Sequence, residues 1–128
     1  HRMKLLNNFL SLGYAAIYAE ALALAAKVGI PTATFDSVIR GGRMDCGFYQ
    51  TFMGYALEGN REAHRFTLTN ALKDLRYVEA MANAATVTTT MASAAKNSFA
   101  GAVAQGGAGP EDYVPHLVDF VGRANGVK

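Results

Sequence analysis

The chain has 128 residues, of which 51% are hydrophobic and 17% charged, enough for one domain with a core of its own. Its single cysteine, Cys46, excludes an internal disulfide and favours a reducing compartment, so we expect a cytoplasmic protein. A net charge of +2, with scattered basic residues, gives no reason to expect a nucleic-acid partner.

The first third of the chain is apolar enough to be confused with a membrane span. The stretch from Phe9 to Ile30 is mostly Ala, Leu, Ile and Tyr, but it includes Glu20 and Lys27. A charge near the bilayer centre costs about 2.5–3.5 kcal/mol on insertion scales, and alanine offsets little of that cost. We therefore expect a protein helix that is buried along most of its length, and neither a membrane partner nor a secretory signal.

The apolar pattern is typical of helices almost throughout. A first helix is predicted over residues 3–28, ending at Gly29 in a left-handed cap. A short second helix, capped by Thr34 or Asp36, should end at Gly41-Gly42.

A third helix is predicted from Gly47 to Leu57, closing at Gly59. Residues 61–67 form a polar connection. The fourth helix follows, because apolar residues recur there at intervals of three and four, at Leu68, Leu72, Leu75, Val78, Met81 and Ala85.

A fifth helix should run from about Thr89 to just before Gly106, through an alanine-rich segment. The last helix is predicted to open with Asp112 as its cap and to place Pro115 in its first turn, ending near Ala124. Five or six helices without a linker or an internal repeat predict an all-α, compact multi-helix domain.

Four polar residues of the first helix, Lys4, Asn7, Asn8 and Ser11, fall within one arc of about 100°. A solvated first turn is the simplest explanation of this arrangement. A binding site is the alternative, because an ammonium and an amide one turn apart can hydrogen-bond the same small anionic or carbonyl group.

The stretch Lys4-Leu5-Leu6-Asn7-Asn8 and the alanine-rich helix after it resemble the C-terminal helical domain of the β-hydroxyacid dehydrogenases. This family includes 3-hydroxyisobutyrate dehydrogenase and tartronate semialdehyde reductase. Its catalytic signature is a Lys followed four residues later by Asn, which match Lys4 and Asn8. A second match is Phe66 followed by Lys73-Asp74-Leu75. The glycines that usually precede the family's lysine would be expected before His1.

The resemblance implies a 6-phosphogluconate dehydrogenase C-terminal-domain-like fold and a nicotinamide-dependent oxidoreductase, with NAD or NADP as cofactor. It implies that Lys4 is the general acid/base, that Asn8 binds substrate, and that Lys73 and Phe66 contact the cofactor. Because a free lysine has a pKa of about 10.4, acting as a base would require burial or nearby positive charge. Asp74 is expected to cap or pair locally.

No Gly-x-Gly-x-x-Gly fingerprint follows a strand anywhere in the chain. With a start at His1, this leads us to expect that residues 1–128 are the C-terminal half of a larger enzyme whose Rossmann domain is missing, and that the piece alone binds no cofactor and is inactive. The expected partners are that domain, a small hydroxyacid or semialdehyde, and further copies in a homodimer or larger assembly.

The other residues that could have a chemical function give weaker indications. The histidines His1, His64 and His116 lack ligand spacing, so no metal site is expected. Cys46 is expected to be a small buried residue, and the Arg61–Arg65 turn a solvated basic connection. The spacing of Phe48, Phe52 and Tyr55, with Met53 beside them, is typical of a helix core or a subunit interface, and we expect them in the core. The alternative to an enzyme domain is a noncatalytic helical interaction or dimerisation domain, in which Lys4 is incidental.

Overall fold

The computed structural model describes all 128 residues and is entirely helical apart from turns and one isolated β-bridge between Thr67 and Tyr113. This confirms the all-α prediction. The α-helices are α1 Arg2–Lys27, α2 Thr32–Ile39, α3 Gly47–Glu58, α4 Leu68–Ala84, α5 Thr90–Ala104 and α6 Leu117–Ala124, with a 3₁₀ turn at Val114–His116.

Helix α1 contacts every other helix of the fold. Its fully buried alanines, Ala15 and Ala19, let the neighbouring helices approach its backbone closely. Seventeen buried residues form one continuous core, in which Phe52 of α3, Leu75 of α4 and Phe99 of α5 are fully enclosed. Of the α3 residues predicted in the core, Phe52 and Met53 are buried, whereas Phe48 and Tyr55 are only partly buried.

The predicted helix ends marked by glycine are confirmed. Gly29 and Gly59 follow α1 and α3 with φ of 84° and 69°, a conformation that costs little only for glycine. The predicted caps of α2 are wrong, because that helix begins earlier, at Thr32 after the extended Pro31. Asp36 instead lies inside α2, where its carboxylate accepts hydrogen bonds from Arg40 Nε at 3.0 Å and Tyr49 Oη at 2.8 Å.

The start of the last helix also differs from the prediction. Asp112 caps no helix, because its carboxylate accepts the Gly109 N–H at 2.8 Å and closes a turn. Its carbonyl oxygen accepts the N–H of Leu68, at 2.8 Å, and so joins this turn to the start of α4. Pro115 lies in the 3₁₀ turn, and α6 begins only at Leu117.

The expectation that α1 is buried along most of its length is wrong. Only Leu12, Ala15, Ala19, Leu22, Ala23 and Ala25 are buried, whereas several large apolar side chains are exposed, among them Met3, Leu10, Ile17 and Leu24. By length and composition α1 is also the one helix that could cross a membrane, with a third of its most apolar window buried inside the domain.

Candidate active site

The first turns of α1 lie beside α4 and form with it an open cavity of about 560 Å³, here called the α1–α4 cleft. The cleft brings together the four residues that the sequence predicted as a site, Lys4, Asn8, Phe66 and Lys73. It is also lined by His1, Leu5, Asn70, Asp74 and Tyr77.

Helical spacing explains why these side chains converge. Lys4 and Asn8 are one turn apart on α1, and the four cleft residues of α4, at positions 70, 73, 74 and 77, repeat at intervals of three and four. The opposite face of α4 buries Leu68, Leu72 and Leu75 in the core, which fixes the rotation of the helix. The N-terminus of α4 is held by Thr67, whose hydroxyl oxygen accepts the Asn70 N–H at 3.2 Å.

Asn8 and Asp74 join the two walls of the cleft. Asn8 Nδ2 donates a hydrogen bond to Asp74 Oδ2 at 3.0 Å, and both side chains are partly buried. The expectation of a local partner for Asp74 is therefore wrong, since its partner is 66 positions away in sequence. Because the amide nitrogen is engaged with a carboxylate, the Asn8 side-chain oxygen is the end left to accept a hydrogen bond.

The cleft carries excess positive charge. Lys4 and Lys73 are exposed and neither takes part in an ion pair, because the three salt bridges of the molecule join other residues. The carboxylate of Asp74 is already hydrogen-bonded to Asn8. Two free ammonium groups around an open cavity can bind a carboxylate or another small anion.

Phe66 forms an apolar wall of the cleft and is supported from behind. Its ring is nearly parallel to that of His64, with the ring centroids 6.1 Å apart. The His64 ring is in turn perpendicular to the Phe48 ring, with the centroids 5.6 Å apart. Burial lowers the pKa of His64, which favours the neutral ring in this stack. The predicted solvated basic connection at residues 61–65 is therefore wrong for His64, which packs between two aromatic rings.

The two other polar residues of the predicted α1 face do not line the cleft. Asn7 is exposed, and Ser11 donates its hydroxyl to the carbonyl oxygen of Asn8 at 3.1 Å. The sequence analysis also missed Asn70 and Tyr77 as cleft residues. The signal that could have found them is their spacing of three and four from Lys73, on the polar face of α4.

Residues elsewhere with potential chemistry have structural partners. The Cys46 sulfur accepts the Tyr49 N–H at 3.4 Å and so caps α3, a role that the sequence analysis missed. The buried His116 ring accepts the Tyr113 N–H at Nδ1 and donates from Nε2 to the Arg61 carbonyl oxygen, at 3.1 and 3.0 Å. No group of three His, Cys, Asp or Glu side chains is arranged to hold a metal ion.

The sequence profile of a family described as the NAD-binding region of NADP-dependent 3-hydroxyisobutyrate dehydrogenase matches residues 1–115. The chain belongs to this family. The match confirms the resemblance that the Lys4 and Lys73 motifs indicated.

A solved structure of similar fold is 3-hydroxyisobutyrate dehydrogenase (ygbJ) from Salmonella typhimurium. The two structures superpose with a TM-score of 0.80 over 93% of this chain, at 24% sequence identity. The chain spans 41% of the length of that protein. A comparison with curated protein sequences found no match.

Proposed function

We propose that this chain is the catalytic and oligomerisation domain of an NAD(P)-dependent 3-hydroxyacid dehydrogenase or 2-hydroxy-3-oxopropionate reductase, preceded in the whole enzyme by a Rossmann domain. The observation that carries the proposal is the convergence of Lys4, Asn8, Lys73 and Asp74 in one cleft from two helices far apart in sequence. The chain's span of less than half of a dehydrogenase of the same fold supports the two-domain arrangement.

The cleft suits one end of a nicotinamide nucleotide and not the whole of it. The Phe66 ring offers a flat apolar surface, and the Lys73 ammonium beside it can hold an anionic or amide oxygen. The chain contains no strand, and so it lacks the strand, glycine-rich turn and helix that bind a pyrophosphate in dinucleotide folds. Phe66 and Lys73 would therefore contact the nicotinamide end, and the Rossmann domain would hold the rest.

Lys4 would perform the proton transfer. When bound, the nicotinamide exchanges a hydride with the substrate carbon. In the reductive direction the carbonyl oxygen gains negative charge as its carbon accepts the hydride, and the Lys4 ammonium stabilises that charge and donates the proton. In the oxidative direction the same nitrogen would accept the hydroxyl proton, which requires that the whole enzyme bury Lys4 or bring positive charge beside it. An exposed lysine at the edge of an open cleft is well placed to exchange that proton with water.

Asn8 would orient the substrate, with Asp74 as its positioning residue. The hydrogen bond to Asp74 fixes which end of the Asn8 amide is free, so the side-chain oxygen can accept from the substrate hydroxyl or from Lys4. The positive charge of the cleft favours substrates that carry a carboxylate, such as small hydroxyacids and their semialdehydes. We expect this enzyme in the cytoplasm, and we expect the isolated chain to be inactive because the nucleotide site is incomplete.

A noncatalytic interaction domain is the second candidate function. The observation that favours it is the set of large apolar side chains that α1 exposes, among them Leu10, Ile17 and Leu24, because exposed apolar patches mark interaction surfaces. In that case the cleft residues would have no role in turnover, and Lys4 would be an ordinary surface lysine.

The two candidates are separated by Lys4→Ala in the whole enzyme, with Lys27→Ala, at the other end of α1, as the matched control. The enzyme proposal requires that Lys4→Ala lowers kcat by at least about 100-fold while nucleotide affinity is retained, as expected for loss of a general acid. Lys27→Ala should turn over like the parent. Unchanged kcat in Lys4→Ala would favour the interaction domain.

A further inference from the structure

Asn70 differs from the other polar residues of the α1–α4 cleft because both ends of its side-chain amide are free. The ammonium groups of Lys4 and Lys73 can only donate hydrogen bonds, and the carboxylate of Asp74 can only accept them. Asn8 also carries an amide, but its nitrogen is bound to Asp74. The Asn70 side chain is exposed, and only the main-chain N–H of this residue has a partner within the chain. Asn70 therefore presents a free donor and a free acceptor side by side.

The backbone that carries Asn70 is held at two points. Its N–H donates to the Thr67 hydroxyl oxygen at 3.2 Å, the bond that caps α4. The carbonyl oxygen of Phe66, the residue before that cap, accepts the Val114 N–H at 2.7 Å. The Asn70 amide thus projects from a fixed part of the helix, and a group on a rigid support loses less conformational entropy when it binds.

Asn70 also lies between the two functional walls of the cleft. At about 100° per residue, Asp74 is about 40° to one side of Asn70 around the α4 axis, and Lys73 is about 60° to the other side. Asp74 is bonded to Asn8, on the side that the proposed function assigns to the substrate. Lys73 and Phe66 form the side assigned to the nicotinamide. A group bound by Asn70 would therefore lie where the two ligands meet.

A primary carboxamide is the chemical group that matches the Asn70 side chain. It carries a carbonyl oxygen and an NH₂ group side by side, so two amides can pair through two hydrogen bonds. A substrate carboxylate only accepts hydrogen bonds, and an ammonium group binds it better. Nicotinamide has a primary carboxamide, on the ring carbon next to the one that exchanges the hydride. The adenine at the other end of the same nucleotide also has an adjacent donor and acceptor, so an experiment must separate the two.

We propose that Asn70 binds the nicotinamide carboxamide through two hydrogen bonds and is a positioning residue for the nicotinamide ring. The inference rests on the proposed function, because it requires the nicotinamide end to enter this cleft. It adds a selectivity that Phe66 and Lys73 do not supply. A flat apolar ring and an ammonium group treat an amide and a methyl ketone alike, whereas the Asn70 oxygen needs an N–H to accept.

The test is the affinity of the whole enzyme for three nucleotides, measured by calorimetry without substrate. They are the natural cofactor, its acetylpyridine analogue, in which methyl replaces the carboxamide NH₂, and its hypoxanthine analogue, in which oxygen replaces the adenine NH₂. The parent should bind the acetylpyridine analogue about tenfold more weakly than the natural cofactor, because one acceptor is left without a donor.

Asn70→Leu should bind the natural cofactor at least about tenfold more weakly than the parent and should no longer prefer it over the acetylpyridine analogue. Its preference for adenine over hypoxanthine should stay that of the parent. Asn83→Leu makes the same change at an exposed position of α4 outside the cleft, and it should keep all three affinities.

The proposal is overturned if Asn70→Leu discriminates against the acetylpyridine analogue as strongly as the parent does. Loss of the adenine preference instead would also overturn it, because the adenine would then be the group at Asn70. Both results concern binding and leave the role of Lys4 intact, since failure of the proposed function appears as unchanged turnover in Lys4→Ala. A whole enzyme that binds no nicotinamide nucleotide would overturn the inference and the proposed function together.

Discussion

Asn8 of α1 and Asp74 of α4 share a hydrogen bond of 3.0 Å that joins the two helices lining the cleft. The bond joins one residue of the Lys4 and Asn8 motif to one residue of the Lys73-Asp74-Leu75 motif. A hydrogen bond to a charged group is among the stronger contacts in a partly buried site. The two sequence motifs are therefore parts of one structure, in which Asp74 sets the orientation of the Asn8 amide.

We predict that Asp74→Ala in the whole enzyme lowers kcat/KM about tenfold, equivalent to about 1.4 kcal/mol of transition-state stabilisation. The physical reason is that the Asn8 amide loses the partner that fixes its orientation. Steady-state kinetics measures the effect, and urea unfolding checks that the fold is retained. Arg76→Ala, an exposed change on α4 outside the cleft, is the control and should behave like the parent. Parental kcat/KM in Asp74→Ala would exclude a positioning role.

Gly107→Ala should destabilise the domain by about 1–3 kcal/mol. A Cβ there would lie 2.9 Å from the Ala102 carbonyl oxygen and equally close to side-chain atoms of Leu68 and Phe120. Gly101→Ala is the matched comparison inside α5, where an added Cβ meets nothing within 4 Å, and it should stabilise the domain by about 0.5–1 kcal/mol. Urea unfolding midpoints measure both changes, and equal stability of the two variants would contradict the packing around Gly107.

The free energy of unfolding should decrease as the pH is lowered, because His116 is buried in its neutral form. Its pKa is lowered by burial, so the unfolded chain takes up a proton at a higher pH than the native one. The contribution of neutral His116 is therefore complete above pH about 6.5 and is lost as the pH falls from there toward the lowered native pKa. The limiting slope is about 1.4 kcal/mol per pH unit for each such histidine.

Urea unfolding between pH 8 and pH 5 measures this dependence. The His116→Gln variant should be less stable than the parent at pH 8, because glutamine fits the Tyr113 N–H and the Arg61 carbonyl oxygen less well than the imidazole ring does. The stability of this variant should also fall less steeply toward pH 5. His64→Gln is the matched comparison, because burial also lowers the pKa of His64. A pH dependence identical to the parent in both variants would contradict the assignment.

Most of the helices could be predicted from the sequence, because glycines and prolines interrupt a clear helical periodicity. The predicted ends of α1 and α3 are correct because only glycine adopts the left-handed conformation of Gly29 and Gly59 without steric strain. The prediction of Asp112 as a helix cap is wrong because an acidic residue before an apolar run has the same sequence pattern whether it caps a helix or closes a turn. In the structure the Asp112 carboxylate accepts the Gly109 N–H, so this residue closes a turn.

The site could be predicted only where a motif named its residues. Lys4, Asn8, Phe66 and Lys73 meet in the cleft as the resemblance implied, but the partner of Asp74 depends on how α1 and α4 pack, which local spacing does not contain. The exposure of α1 was misjudged for a similar reason. Leu10 and Leu12 are the same residue type, and only the positions of the neighbouring helices decide which is buried.

The central claim is that an ammonium group at position 4 transfers the proton, and chemical rescue tests it most directly. Lys4→Ala in the whole enzyme is assayed with NADPH and a small semialdehyde carboxylate, without and with a primary amine such as ethylamine. The predicted result is a loss of turnover by at least about 100-fold and a saturable partial recovery with the amine. Turnover of Lys4→Ala at the parental rate without amine would contradict the role of Lys4.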